Sequence, residues 1–155
     1  MTGLPRRIVW GGETGVDRAA LDVAGALGID CGGWCPRGRR AEDGPIAPGY
    51  ALVETESTRY EERTERNVLD SDGTLILTRG ELAGGTALTR ELALRHGRPV
   101  LVVDLGDDPS ARTVRDWIES RRIATLNVAG PRESGQPGIH AAAKSFLTAV
   151  LGPSR

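Results

Sequence analysis

The sequence predicts an α/β protein with a mainly parallel sheet covered by helices on both faces. Three observations carry that reading. Short apolar runs such as TLILT, PVLVVDL and ATLNV alternate with helix-period segments along the chain. Three of these strand candidates end near glycine-rich turns. The chain has 155 residues and no repeat, linker or low-complexity stretch, which suits one domain with a core of its own.

Taken in order, Arg7–Trp10 reads as the first strand, and Asp17–Leu27 as a helix closed by Gly28. Ile29–Trp34 reads as the second strand, and Pro36–Gly49 as a loop rich in proline, glycine and charge. Ala51–Glu54 is a short extended candidate. Arg59–Leu69 is a polar helix, on which Tyr60, Arg63, Thr64 and Asn67 share one face at i, i+3, i+4 and i+7. A polar stripe with a tyrosine suits a cavity wall. Thr74–Thr78 is a strand of the buried type, followed by a helix from about Thr86 to His96, ending at Gly97. Pro99–Leu105 is the most apolar strand. Ser110–Arg122 is a helix with Val114, Trp117 and Ile118 on one face. Ala124–Val128 is the last strand, and Gly138–Leu151 the last helix.

Composition removes several function classes. A net charge of −1 gives no general attraction to nucleic acid or acidic membranes. No apolar run is long enough to span a bilayer, and MTGLPRRIVW lacks the apolar core of a signal peptide. Cys31 and Cys35 fit a reducing cytoplasm as structural thiols, because their spacing suits neither zinc nor redox motifs. No metal site is expected. Lys144 is the only lysine and follows three alanines, so a Walker P-loop is excluded. It reads as lying on the polar side of the last helix, which argues against Schiff-base chemistry. His96 reads as a helix C-terminal residue suited to the helix dipole, and His140 as a surface residue.

In parallel α/β sheets the ligand crevice lies outside the carboxyl ends of the strands. Three turns fall there: Gly11-Gly12-Glu13-Thr14-Gly15, Gly84-Gly85-Thr86 and Gly130-Pro131-Arg132-Glu133-Ser134. The first is not the GxGxxG dinucleotide fingerprint. The second opens a helix, whose amide groups and Thr86 hydroxyl suit a phosphate. The third adds an arginine, which grips phosphate in a bidentate way. Three such turns on one sheet edge predict an anion crevice. Arg37, Arg39 and Arg40 belong to the loop after the second strand and add charge on the same edge.

The stretches GGETGVDRAALD, GWCPRGRRAEDGPI, RNVLDSDGTLIL, GGTALT and LNVAGPRES together resemble the molybdenum-carrier-like proteins, a circularly permuted branch of the SLOG superfamily. That resemblance implies a Rossmann-like three-layer fold and a crevice for a phosphorylated, nucleotide-like ligand. It also implies that the last strand lies between the first and the TLILT strand, giving the order 2-1-5-3-4 over five strands. Another branch, the Lonely Guy-type phosphoribohydrolases, carries PGGxGTxxE. The window Ala83–Glu91 keeps the two glycines and the glutamate but has Ala83, Ala87 and Leu88 in place of proline, glycine and threonine.

The leading expectation is a carrier or sensor for a phosphorylated small molecule, with the molybdenum cofactor or a nucleotide as bound ligand, in a homo-oligomer. Gly11, Gly12, Thr14, Gly15, Gly84, Gly85, Thr86, Gly130, Arg132, Glu133 and Ser134 would form the cradle. Arg37 and Arg63 would add charge, and Asp17 or Glu13 would hold a sugar hydroxyl. The alternative is a hydrolase of nucleoside monophosphates using Glu91 or Glu13; the two substitutions after Thr86 weigh against it. A third reading is an interaction module with a vestigial crevice.

Overall fold

The computed structural model describes residues 4–50 and 52–153. Five parallel strands form the central sheet: β1 (Arg7–Val9), β2 (Asp30–Gly32), β5 (Gly73–Thr78), β6 (Val100–Asp104) and β7 (Thr125–Ala129). Two shorter strands, β3 (Trp34–Cys35) and β4 (Val53–Glu54), pair in parallel as a separate two-stranded sheet. The helices are α1 (Val16–Leu27), α2 (Tyr60–Leu69), α3 (Gly84–Arg95), α4 (Ala111–Ser120) and α5 (Ile139–Leu151), with a 3-10 turn at Leu105–Asp107.

The spatial order is β2-β1-β7-β5-β6. The expected order 2-1-5-3-4 left β3 and β4 uncounted, so its numbers differ from these while the strand neighbours are the same. The last strand lies between β1 and β5, pairing Val9 with Asn127 on one side and Leu75 with Val128 on the other. That neighbourhood positions the site, because it sets the ends of β1, β7 and β5 side by side.

The second strand is shorter than expected because Gly33 breaks it. Its φ is +138°, and a Cβ there would stand 2.3 Å from the Trp10 carbonyl oxygen. The chain therefore turns out of the main sheet, and Trp34 starts β3. Helix α3 begins at Gly84 rather than near Thr86, so both glycines lie within its first turn. The other boundaries differ from expectation by one or two residues. Ala51, where an extended segment was expected to begin, lies outside the described residues.

The strand period of two sorts β5 cleanly. Leu75 and Leu77 enter the main core with Ile8, Leu126 and Val128 of the sheet and Val16, Val114 and Leu147 of α1, α4 and α5. Thr74, Ile76 and Thr78 alternate with them and are also buried. A second cluster joins Val68 of α2 to Leu92 and Ala93 of α3, with Val100 against it. The sheet is thus covered on both sides, which is why β5 carries no exposed face. Among the described residues no helix is long and apolar enough to cross a membrane. No group of metal-ligating side chains occurs among them either.

Candidate functional site

A cavity of about 690 Å³ opens at the carboxyl ends of β1, β5 and β7. Residues 127–132 line it from β7, Gly11 and Glu13 from the turn after β1, and Gly84, Gly85 and Thr86 from the start of α3. The polar stripe of α2 lines it too, through Tyr60, Arg63, Thr64 and Asn67. That stripe faces inward because the opposite side of α2 is charged and α2 packs on α3.

The glycines divide into two kinds. At Gly11 an added Cβ would stand 2.3 Å from Nη1 of Arg63, and at Gly12 2.4 Å from Cδ1 of Ile46. At Gly15 it would meet the Pro131 carbonyl at 2.2 Å, and at Gly130 the Leu77 carbonyl at 2.3 Å. Those positions are glycine because the protein's own atoms fill the space. Gly84 and Gly85 have nothing within 4 Å of such a Cβ. Gly84 has a φ of +52°, so glycine is favoured there by conformation as well. Of the expected cradle glycines, these two alone line the cavity with open space at the Cβ position.

Charge converges on Tyr60. The guanidinium carbons of Arg40, Arg63 and Arg132 lie 4.8, 5.2 and 4.7 Å from its ring centroid. The negative face of the ring offsets part of their mutual repulsion. Arg63 is only 8 % exposed. Its Nη1 donates to the Gly11 carbonyl at 2.6 Å and stands 3.7 Å from Asp17 Oδ2. Arg132 Nε lies 3.3 Å from Glu13 Oε2. The two form an ion pair without a hydrogen bond, and this buried oxygen has no hydrogen-bond partner among the described residues. Glu13 Oε1 is engaged, accepting from the Thr14 and Glu42 amides at 3.0 and 2.8 Å.

Asp17 is buried, and burial pushes its carboxyl up to about 6; Arg63 opposes that rise and Glu13 adds to it. Its folded pKa lies above its unfolded value. Its favourable contribution is therefore fully present below about pH 4 and is lost as pH rises through 6. Asp17→Asn should remove this dependence. Urea denaturation should show the wild type losing on the order of 2 kcal/mol relative to Asp17→Asn between pH 4 and 7. Parallel pH profiles would contradict the assignment.

Several expected residues have other duties. The Thr14 hydroxyl donates to Glu42 and accepts from the Glu133 amide at 3.1 Å. Glu133 accepts from the amides of Gly138 and His140 at 2.7 and 2.9 Å, which caps α5 rather than the cavity. Ser134 lines the cavity but spends its hydroxyl on Glu42. Gly12 and Gly15 lie outside the lining. Arg37 does not reach it either; its backbone joins Ser57, and Arg40 is the loop arginine that meets Tyr60. Glu91, the expected hydrolytic carboxylate, is exposed and pairs with Arg95 at 2.9 Å. It does not line the cavity, so of the two carboxylates expected for a hydrolase only Glu13 stands there.

Sequence reasoning missed three residues. Asn127 of β7 forms part of the cavity wall, with its amide donating to Thr74 at 3.3 Å. A polar residue inside the apolar run ATLNV was the available signal. Gln136 binds the Arg79 backbone through both ends of its amide and ties the β5 and β7 loops together. Glu42 crosses from the loop after β3, and nothing in its charged surroundings distinguished it.

The model of the circularly permutated YpsA SLOG family matches residues 8–151 of the chain. The chain is also similar to a protein from Syntrophus aciditrophicus SB named "Putative molybdenum carrier protein". The two share 44 % identity over 96 % of each chain, and their structures superpose with a TM-score of 0.93. No curated protein matches the chain.

Proposed function

The chain belongs to the circularly permutated YpsA SLOG family, and from that premise we propose that it is a binding protein for a small phosphorylated molecule. The observation that carries the reading is the Gly84–Thr86 turn. It starts a helix of 12 residues, its first two positions are open, and it shares one cavity with Arg63 and Arg132. Unpaired amides at a helix start and nearby guanidinium groups are complementary to phosphate. A volume of about 690 Å³ is of the size that holds a nucleotide or a pterin. Glu13 Oε2 and Asp17 supply acceptors for the N–H groups or hydroxyls of such a ligand. The phosphate-bearing molybdenum cofactor, carried as cargo, has both features; the related protein's name supports this choice.

Thermal unfolding in the presence of orthophosphate, nucleotides and pterins tests the reading. A ligand at a hundredfold excess over its Kd should stabilise the fold by about 2.7 kcal/mol, a rise of roughly 5 °C or more in Tm. Absence of any shift, orthophosphate included, would remove the proposal. Arg132→Ala should weaken orthophosphate binding roughly 30-fold, because a charge-assisted bond of about 2 kcal/mol is lost. Arg121→Ala, at the exposed end of α4, serves as the control. Equal effects in calorimetry would mean that Arg132 only shapes its turn.

A further inference from the structure

The loop between β3 and β4 delivers a carboxylate into the turns after β1 and β7. Glu42 accepts from the hydroxyls of Thr14 and Ser134, and from the Ser134 amide at 3.2 Å. Its own amide donates to Glu13 Oε1 at 2.8 Å. The next residue, Asp43, takes two bonds from Arg18, at 2.6 and 2.9 Å. These contacts hold the carboxylate in place from both sides.

Two hydroxyls and a backbone amide converging from two loops, with an arginine nearby, form an anion nest. Here the anion is the protein's own. Desolvation pushes the Glu42 carboxyl up, but bonds from Ser134 and Thr14 and the charge of Arg132 outweigh it and hold it below the usual carboxylate range. Glu42 is therefore ionised at neutral pH. The Gly84–Thr86 turn differs. Among the described residues, no side chain is bonded to the amides of Gly84 or Gly85. Glu13, only 4 % exposed, lines the cavity beside it, and its Oε2 is ion-paired with Arg132 but has no hydrogen-bond partner among the described residues.

We propose that Glu42 is a specificity-determining residue: its carboxylate fills the Thr14–Ser134 nest and leaves the Gly84–Thr86 turn as the one phosphate seat. The site then selects ligands with a single phosphate group over diphosphates. Ser134 lines the same cavity, so a second phosphate extending toward it would have to displace an ionised carboxylate from three hydrogen bonds and would meet its charge. This inference rests on the reading of the cavity as a phosphate site, and it narrows the ligand class.

Equilibrium dialysis of the full chain with radiolabelled orthophosphate tests it. The wild type should bind one phosphate per chain, and Glu42→Ala two. In competition calorimetry, the affinity ratio of pyrophosphate to orthophosphate should rise at least about tenfold in Glu42→Ala, from the charge-assisted bonds gained. Glu42→Gln keeps the side chain's shape and should raise the ratio in the same direction, so the test survives poor folding of the alanine variant. Two phosphates on the wild type would overturn the inference. So would an unchanged stoichiometry and ratio in both variants, which would make Glu42 a loop tether. Phosphate bound to Glu42→Ala but not to the wild type would place the seat in the nest and also overturn it. Binding to neither protein would instead overturn the phosphate reading itself.

Discussion

Gly15→Ala should cost about 3–5 kcal/mol in urea denaturation, while Gly85→Ala should leave the fold intact and lose phosphate binding. The backbone at Gly15 has φ 76° and ψ −128°, a region that L residues avoid at about 1–3 kcal/mol. An added Cβ would also press on the Pro131 carbonyl at 2.2 Å and the Glu133 amide at 2.8 Å. These are backbone atoms of the β7–α5 loop, so no rotamer relieves the clash. Overpacking of this kind adds about 1–3 kcal/mol. Gly85 is helical, and nothing lies within 4 Å of its Cβ position. Alanine there favours the helix by roughly 0.5–1 kcal/mol over glycine. The methyl group would stand in open space at the first turn of α3, beside the cavity, so orthophosphate affinity should fall at least about tenfold, or about 1.4 kcal/mol. Retained binding in Gly85→Ala would move the seat away from that turn. Full stability in Gly15→Ala would show that the loop yields more easily than its packing implies.

The contrast between those glycines marks the limit of what the sequence discloses. Alternation of apolar runs and helical periods is local, so the strands and helices were legible. The resemblance supplied the insertion of the last strand beside β1. Glycine, however, looks the same in sequence whether it admits a ligand or another loop. Gly11 makes room for Arg63, 52 positions away, and Gly15 for the loop at Pro131. Such pairings depend on the tertiary fold. The stripe on α2 was readable because its four polar residues share one helical face. The same geometry argues against Glu91. It lies five residues after Thr86, about 140° around the helix from it. Thr86, Thr89 and Ala93 are buried while Glu91 points to solvent. Arg37 and Arg40 are alike in a charged loop, and only the path of that loop brings Arg40 to Tyr60. The partnership of Glu42 with Ser134 spans 92 positions, far beyond any local signal.

Arg63→Ala should destabilise the protein by about 3 kcal/mol at pH 8 and by clearly less at pH 5. Part of the loss does not depend on pH. The Gly11 carbonyl loses its bond at 2.6 Å, and the space facing Gly11 is left unfilled. The rest passes through Asp17. Burial holds that carboxyl at about 6 even with Arg63 at 3.7 Å, and Arg63 is the largest influence drawing it down. Removal of the guanidinium raises it further. At pH 8 the variant must bury an unpaired carboxylate or bind a proton against the pH, and leaving a buried charge alone costs several kcal/mol. At pH 5 Asp17 is mostly protonated in the folded wild type, so little charge is left for Arg63 to balance. The two residues are therefore coupled, and the coupling grows with pH. In a double-mutant cycle, Arg63→Ala on an Asp17→Asn background should show the same loss at both pH values. Equal losses at pH 5 and 8 in the single variant would mean that Arg63 supports the site by packing alone and leaves the charge of Asp17 unaffected.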